Sequence, residues 1–119
     1  MSLTLKTRQV EDVTVVDVAG QIKLGETAVS VRDTLRELVA KSHKKIVLNL
    51  GEVSYIDSSG IGELVAAYTT VRDKGGQLKL LNLTKRVKDV LQITKLYTVF
   101  DVYDNEAHAI RSFSAAASA

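Results

Sequence analysis

Ile46-Val47-Leu48-Asn49-Leu50 leads through Gly51-Glu52 and Tyr55-Ile56 to Asp57-Ser58-Ser59-Gly60-Ile61-Gly62. The first five residues form a short, nearly continuous apolar run, the pattern of a strand buried on both faces beside a parallel neighbour. After Gly60 the period changes. Ile61, Leu64, Val65, Tyr68 and Val71 fall on one face of a helix, which Gly75-Gly76 stops. A buried strand that feeds an amphipathic helix through a short loop is the repeating unit of an α/β sheet.

Working toward the N-terminus, Ala28, Val31, Leu35, Leu38 and Val39 recur at helical spacing with Arg32, Asp33, Arg36 and Glu37 between them. This predicts a helix of about four turns, a common length in globular domains. Ahead of it, Leu3, Leu5 and Thr7 alternate with polar residues, and Val13 to Val18 is rich in β-branched side chains. With a turn at Glu11-Asp12 these two runs read as a hairpin. Gly20 ends the hairpin, and Gln21 to Gly25 reads as loop. Toward the C-terminus, Gln77 to Leu83 reads as a strand. Thr84 is positioned to cap a short helix with Val87, Val90 and Leu91 inward. Val99 to Tyr103 reads as a last strand, and Asp104 as the cap of a final helix carrying Ala107, Ile110 and Phe113. The order β-β-α-β-α-β-α-β-α predicts one α/β domain, with a mixed, mostly parallel sheet of four to five strands, about four helices and an N-terminal β-hairpin.

The length of 119 residues fits one domain and is too short for a multidomain enzyme. The reading places the domain at 1–113 and a flexible C-terminal tail at 114–119, where the sequence is only Ala and Ser. The chain has no Cys, so it offers no disulfide, thiolate metal site or thiol nucleophile. A net charge of +2, with the signs interspersed, is no nucleic-acid footprint. The apolar runs are far too short for a membrane span. The expected location is the cytoplasm.

Chemistry in open α/β sheets gathers at the carboxyl ends of the strands. Asp57-Ser58-Ser59-Gly60 sits at such an end, and two readings of it stand side by side. In one, Asp57 and the serines simply cap the helix, and the Gly60-Ile61-Gly62 pattern eases packing. In the other, a serine hydroxyl here is a phosphorylation site. A helix N-terminus tolerates a phosphate, because free N–H groups and the positive end of the helix dipole face it. The added charge of about −1.5 to −2 would then act on a partner rather than on the fold.

Catalytic patterns fail. The dinucleotide fingerprint would need Gly where Val65 stands, no phosphate-binding loop is present, and Ser58-Ser59 lacks the flanking glycines of a nucleophile elbow. His43 and His108 read as helix-surface residues and make no metal site. A receiver-like phosphoacceptor role for Asp57 would need a nearby acidic pair, for which Glu11-Asp12 is the only candidate. Lys85, Arg86 and Lys88 form a basic cluster, either a solvated face or a docking surface for an acidic partner.

The segment Val53 to Gly62 resembles the signature of the STAS domain, the module of bacterial anti-sigma factor antagonists. The likeness extends through Val18-Ala19-Gly20, Ile46 to Leu50, Gly75-Gly76-Gln77-Leu78, the Val87 to Leu91 helix and Leu96 to Phe100. The resemblance implies a STAS fold and a partner switch. The unphosphorylated antagonist binds an anti-sigma factor that is also an ATP-dependent serine kinase, and so frees a sigma factor. Phosphorylation of the serine after the motif aspartate, here Ser58, releases it, and a PP2C-type phosphatase reverses the step. Asp57, Ser59, Gly60, Ile61 and Gly62 would line the contact. The chain would be substrate and ligand rather than enzyme, without a metal or cofactor of its own.

The chain departs from this pattern at Lys23, another expected contact. It stands where a Gly-Glu-Leu-Asp-like loop carries an acid, so the contact changes sign and the partner surface should differ. The alternative is a non-switching STAS scaffold or ligand-sensing subunit of a stress or transport complex, in which Ser58 is only a cap. A weaker third reading is a small hydrolase using Ser58 or Ser59.

Overall fold

The computed structural model describes residues 3–23 and 26–118, and the surroundings of their side chains outside 26–29 and 114–118. The elements are β1 (Leu3–Val10), β2 (Val13–Ile22), α1 (Glu26–Ala40), β3 (Lys45–Ile56), α2 (Ser58–Asp73), β4 (Gln77–Leu81), α3 (Lys85–Ile93), β5 (Asp101–Tyr103) and α4 (Glu106–Ser118). The strands form one five-stranded sheet in the order β1-β2-β3-β4-β5. β1 runs antiparallel to β2, and every other pair is parallel. This is the mixed α/β sheet with an N-terminal hairpin that the sequence predicts.

The topology explains the layering. Each crossover through α1, α2 and α3 moves one strand further along the sheet. Crossovers of one handedness in one direction place their helices on one face. Val31, Leu35 and Val39 of α1, Leu64 and Val71 of α2, and Val87 and Leu91 of α3 accordingly share one core with Val16, Ile46, Leu48 and Leu80 of the sheet. α4 follows the last strand and covers the opposite face. There Ala109, Ile110 and Phe113 meet Val13, Val15, Val47 and Leu81.

Several local expectations change. Gly51-Glu52 is no turn, because β3 runs on through it to Ile56 and keeps β2 as its partner, with Ala19 opposite Glu52 and Ile22 opposite Ile56. β2 likewise passes Gly20 instead of ending there. Gly20 takes a φ of 117°, a region glycine enters without strain, where the register with β3 shifts. Leu24 and Gly25 of the expected loop lie outside the described residues. β5 is only three residues long. Asp104 does not cap α4; the side chain of Asn105 accepts the His108 N–H at 2.9 Å, because the helix starts two residues beyond Asp104. Ala107 faces solvent, and Ala109 takes the inward position. Thr84 does cap α3, accepting the Val87 N–H at 3.3 Å. The backbone of α4 stays helical past residue 113, where the sequence suggested a domain end.

Candidate functional site

β3 delivers its last residue, Ile56, beside Ile22 at the end of β2, and the chain turns at once into α2. Asp57 is the N-cap. Its backbone is extended, its N–H points to the Ile22 carbonyl at 3.4 Å, and its carboxylate accepts the Gly60 N–H at 2.8 Å. That bond satisfies one of the free donors of the first turn.

Gly60 is fixed by its surroundings. A Cβ there would stand 2.4 Å from the Ile22 carbonyl oxygen and 2.9 Å from Ile56 Cγ1. The helix therefore starts in direct backbone contact with β2, and Ile61 is driven fully into the core. α3 supplies a further clamp. Arg86 Nε donates to the Ile56 carbonyl at 3.1 Å while its guanidinium lies 4.5 Å from the Tyr55 ring centre. A planar cation suits both contacts, since it donates in its plane and stacks through its face.

With the inner side of the turn fixed, Ser58, Ser59 and Gly62 face outward and are exposed, while Asp57 is half-buried. Lys23 follows Ile22 directly and is exposed as well. The β2–β3 pairing therefore brings the Lys23 segment beside the Asp57–Gly62 turn. On the flank of α2, Arg32 of α1 reaches Glu63 at 3.3 Å. Glu63 is four residues after Ser59, hence on the same side of the helix.

The surrounding groups limit the chemistry. His43 contacts Thr14 at 3.4 Å, near the start of β3, whereas Ser58 follows the end of that strand. His108 lies edge-on to Tyr103 from α4, on the other face of the sheet. Neither serves as a base for Ser58 or Ser59, which removes the support for a hydrolase. Glu11-Asp12 is equally misplaced for a receiver-like centre. Asp12 pairs with Lys45 at 2.6 Å, at the opposite end of β3 from Asp57. From end to end that twelve-residue strand spans about 35 Å.

The basic cluster on α3 divides among tasks: Lys85 pairs with Asp89 at 3.0 Å, Arg86 holds the loop, and Lys88 lines a groove of about 760 Å³ beside β5. That groove is lined by none of Lys23 and Asp57 to Gly62. Sequence reasoning missed the Arg86 clamp and the Arg32–Glu63 tie. Both join distant segments, and the only signal in the chain was an aromatic residue just before Ile56 and an arginine after a cap.

Residues 4–109 match the family model of the STAS domain. The chain belongs to this family. The anti-sigma-B factor antagonist of Bacillus subtilis is 33% identical over 102 residues, covering 86% of this chain and 92% of the relative. The crystal structure of a putative anti-sigma factor antagonist from Thermotoga maritima superposes with a TM-score of 0.81 at 26% identity, covering 91% of this chain and 92% of that one. The Bacillus cell fate determinant SpoIIAA in its phosphorylated form has the same fold, with a TM-score of 0.70 at 19% identity over 92% of this chain and 99% of that one. This STAS domain is thus a relative of regulatory antagonist proteins, and among its described residues no helix is long and apolar enough to cross a membrane.

Proposed function

We propose that this STAS domain is an anti-sigma factor antagonist that works by partner switching, with Ser58 as the switch. Unmodified, it binds a cognate anti-sigma factor that is also a serine kinase, and so releases a sigma factor for transcription. Phosphorylated on Ser58, it lets go, and a PP2C-type phosphatase restores it. The cycle runs in the cytoplasm. The observation that carries this reading is the exposure of Ser58 on the first turn of α2, whose inner side is locked against β2. The names of the relatives support the choice of partner.

Geometry favours Ser58 over Ser59. A phosphate on Ser59 would stand one turn from Glu63, a like-charge pair at i,i+4 that opposes the modification. The residue one turn from Ser58 is Gly62, which carries no charge and no side chain. At the helix start a phosphoserine dianion suits the dipole, so the fold keeps its stability. In an interface it is a buried, unpaired charge. Lys23, Asp57, Ser59, Gly60, Ile61 and Gly62 belong to the same contact, and Lys23 selects a partner surface carrying an acid there.

The test uses the purified anti-sigma factor kinase with ATP. Wild type takes up one phosphate and Ser58→Ala takes up none. Ser58→Asp binds the kinase at least tenfold more weakly, about 1.4 kcal/mol or more, with an unchanged melting temperature. An Asp variant that binds as tightly as wild type sinks the charge switch.

A further inference from the structure

Gly60 and Gly62 lie two residues apart on one helix, and the fold needs only one of them. Gly60 is required, since a Cβ would collide with the Ile22 backbone. At Gly62 a Cβ would meet nothing within 4 Å among the described residues, the backbone is ordinary helix, and the position is exposed. A glycine in a helix interior is less stable than alanine there. Among the described residues nothing compensates for that at position 62, which points to a reason outside the fold.

We infer that Gly62 is a specificity-determining position: it gives the kinase the clearance to seat its nucleotide over Ser58. This deepens the switch proposed above and rests on that reading. Ser58 and Gly62 are four residues apart, so their Cβ positions are about 5–6 Å apart on one side of the helix. Ser58 is fixed to a helix that cannot extend into a kinase cleft as a loose peptide would. The cleft must come down onto the helix. In the transfer, Ser58 Oγ attacks the γ-phosphorus of ATP and a new O–P bond forms. The bond from that phosphorus to the bridging oxygen breaks, ADP leaves with its electron pair, and the hydroxyl proton passes to a base of the kinase. The reacting atoms must approach to about 3–3.5 Å and lie in line. At that distance the cleft wall bearing the nucleotide rests on the neighbouring turn, where a side chain at 62 would stand in its path. The glycine admits a kinase that binds flush with the helix and is the first place where a bulkier residue would refuse it.

The experiment compares Gly62→Ala, Gly62→Leu and the control Thr69→Leu, an exposed site two turns further along α2. The probe is the purified kinase with ATP. Expected for Gly62→Ala is a melting temperature raised by about 2–5 °C, together with a fall in kcat/KM for phosphate uptake of tenfold or more. Gly62→Leu falls further, and Thr69→Leu stays within twofold of wild type. A gain in stability with a loss of transfer is something a purely structural glycine cannot produce. Transfer to Gly62→Ala and Gly62→Leu within twofold of wild type overturns the inference, as does a melting temperature that drops on adding the methyl group. Ser58→Ala in the same assay separates the two readings. If Ser58→Ala still accepts phosphate, the proposed switch fails and the clearance over Ser58 falls with it. If Ser58→Ala is silent and both Gly62 variants are normal, only the clearance fails.

Discussion

The two faces of the sheet are held by different forces. Under α1, α2 and α3 the core is apolar, and apart from the Arg86 bond to the Ile56 carbonyl the helices are held to the strands mainly by burial. On the other face α4 covers a smaller cluster. Beside it a polar row crosses three strands and ends at the residue after β4. Arg8 bonds to Glu106 of α4 and, at 2.7 Å, to Asp17. Asn49 donates to Asp17 at 2.8 Å, and Asn82 donates to Asn49 at 3.3 Å. The Ser58 turn hangs entirely on the first face, through Gly60 and Ile61. The site and the polar row should therefore respond to different perturbations.

The largest expected effect is on the second face. Phe113 is fully buried, and the Lys79 ammonium lies 4.8 Å from its ring centre. Phe113→Ala should cost about 3–5 kcal/mol in urea unfolding, from lost burial and the cavity it leaves. Under native conditions the folded variant should still accept phosphate on Ser58 at the wild-type rate. A slowed transfer would mean that the faces are coupled, and the comparison would break.

The reverse pattern belongs to Gly60→Ala. Its stability loss should be smaller, about 1–3 kcal/mol, the usual cost of overpacking. Its Cβ would nonetheless push α2 from the Ile22 carbonyl and carry Ser58 with it. Phosphate uptake should then fall by tenfold or more while the protein remains folded, measured by single-turnover transfer beside circular dichroism. Normal uptake would show that the turn does not need its contact with β2.

The two faces also differ in how much of them was legible in the sequence. The first is written in periodicity: Val31, Leu35 and Val39 on α1, and Ile61, Leu64 and Val71 on α2, announce their burial by spacing. The Ser58 turn was legible too, because a cap, two hydroxyls and two glycines make a local pattern. What separates Gly60 from Gly62 was not, since it depends on where Ile22 lies in space. β3 was cut short at Leu50 because Gly51-Glu52 has turn chemistry, which pairing with β2 overrides. The polar row was invisible. Arg8, Asp17 and Glu106 are spread over the whole chain, and each looks like an ordinary surface charge until the hairpin and α4 bring them together.

The smallest expected effect tests that row. Hydrogen bonds from Arg8 hold the carboxyls of both Asp17 and Glu106 below the usual carboxylate range, and the same bonds raise the guanidinium further. Arg8 stays charged at every accessible pH, so only the two acids titrate. A carboxyl depressed by folding stabilises the fold at pH above its unfolded pKa, and that stability is lost as pH falls through the folded value. The window is thus the acid side, below about pH 5. All three side chains are a third or more exposed, at 34% to 41%, so solvent screening keeps the gain small, about 1 kcal/mol in all. Arg8→Met should therefore be less stable than wild type by about that amount at pH 7. The gap should close as pH falls below the depressed folded values, where both acids are protonated in either protein. The Asp12–Lys45 pair titrates in the same window, but it is common to both proteins and cancels from the difference. In 1 M salt the Debye length is only about 3 Å, so the neutral-pH gap should shrink as well. A gap that persists unchanged through acid would mean that Arg8 acts through the packing of its stem over the sheet, and the second face would then be held by burial, as the first is.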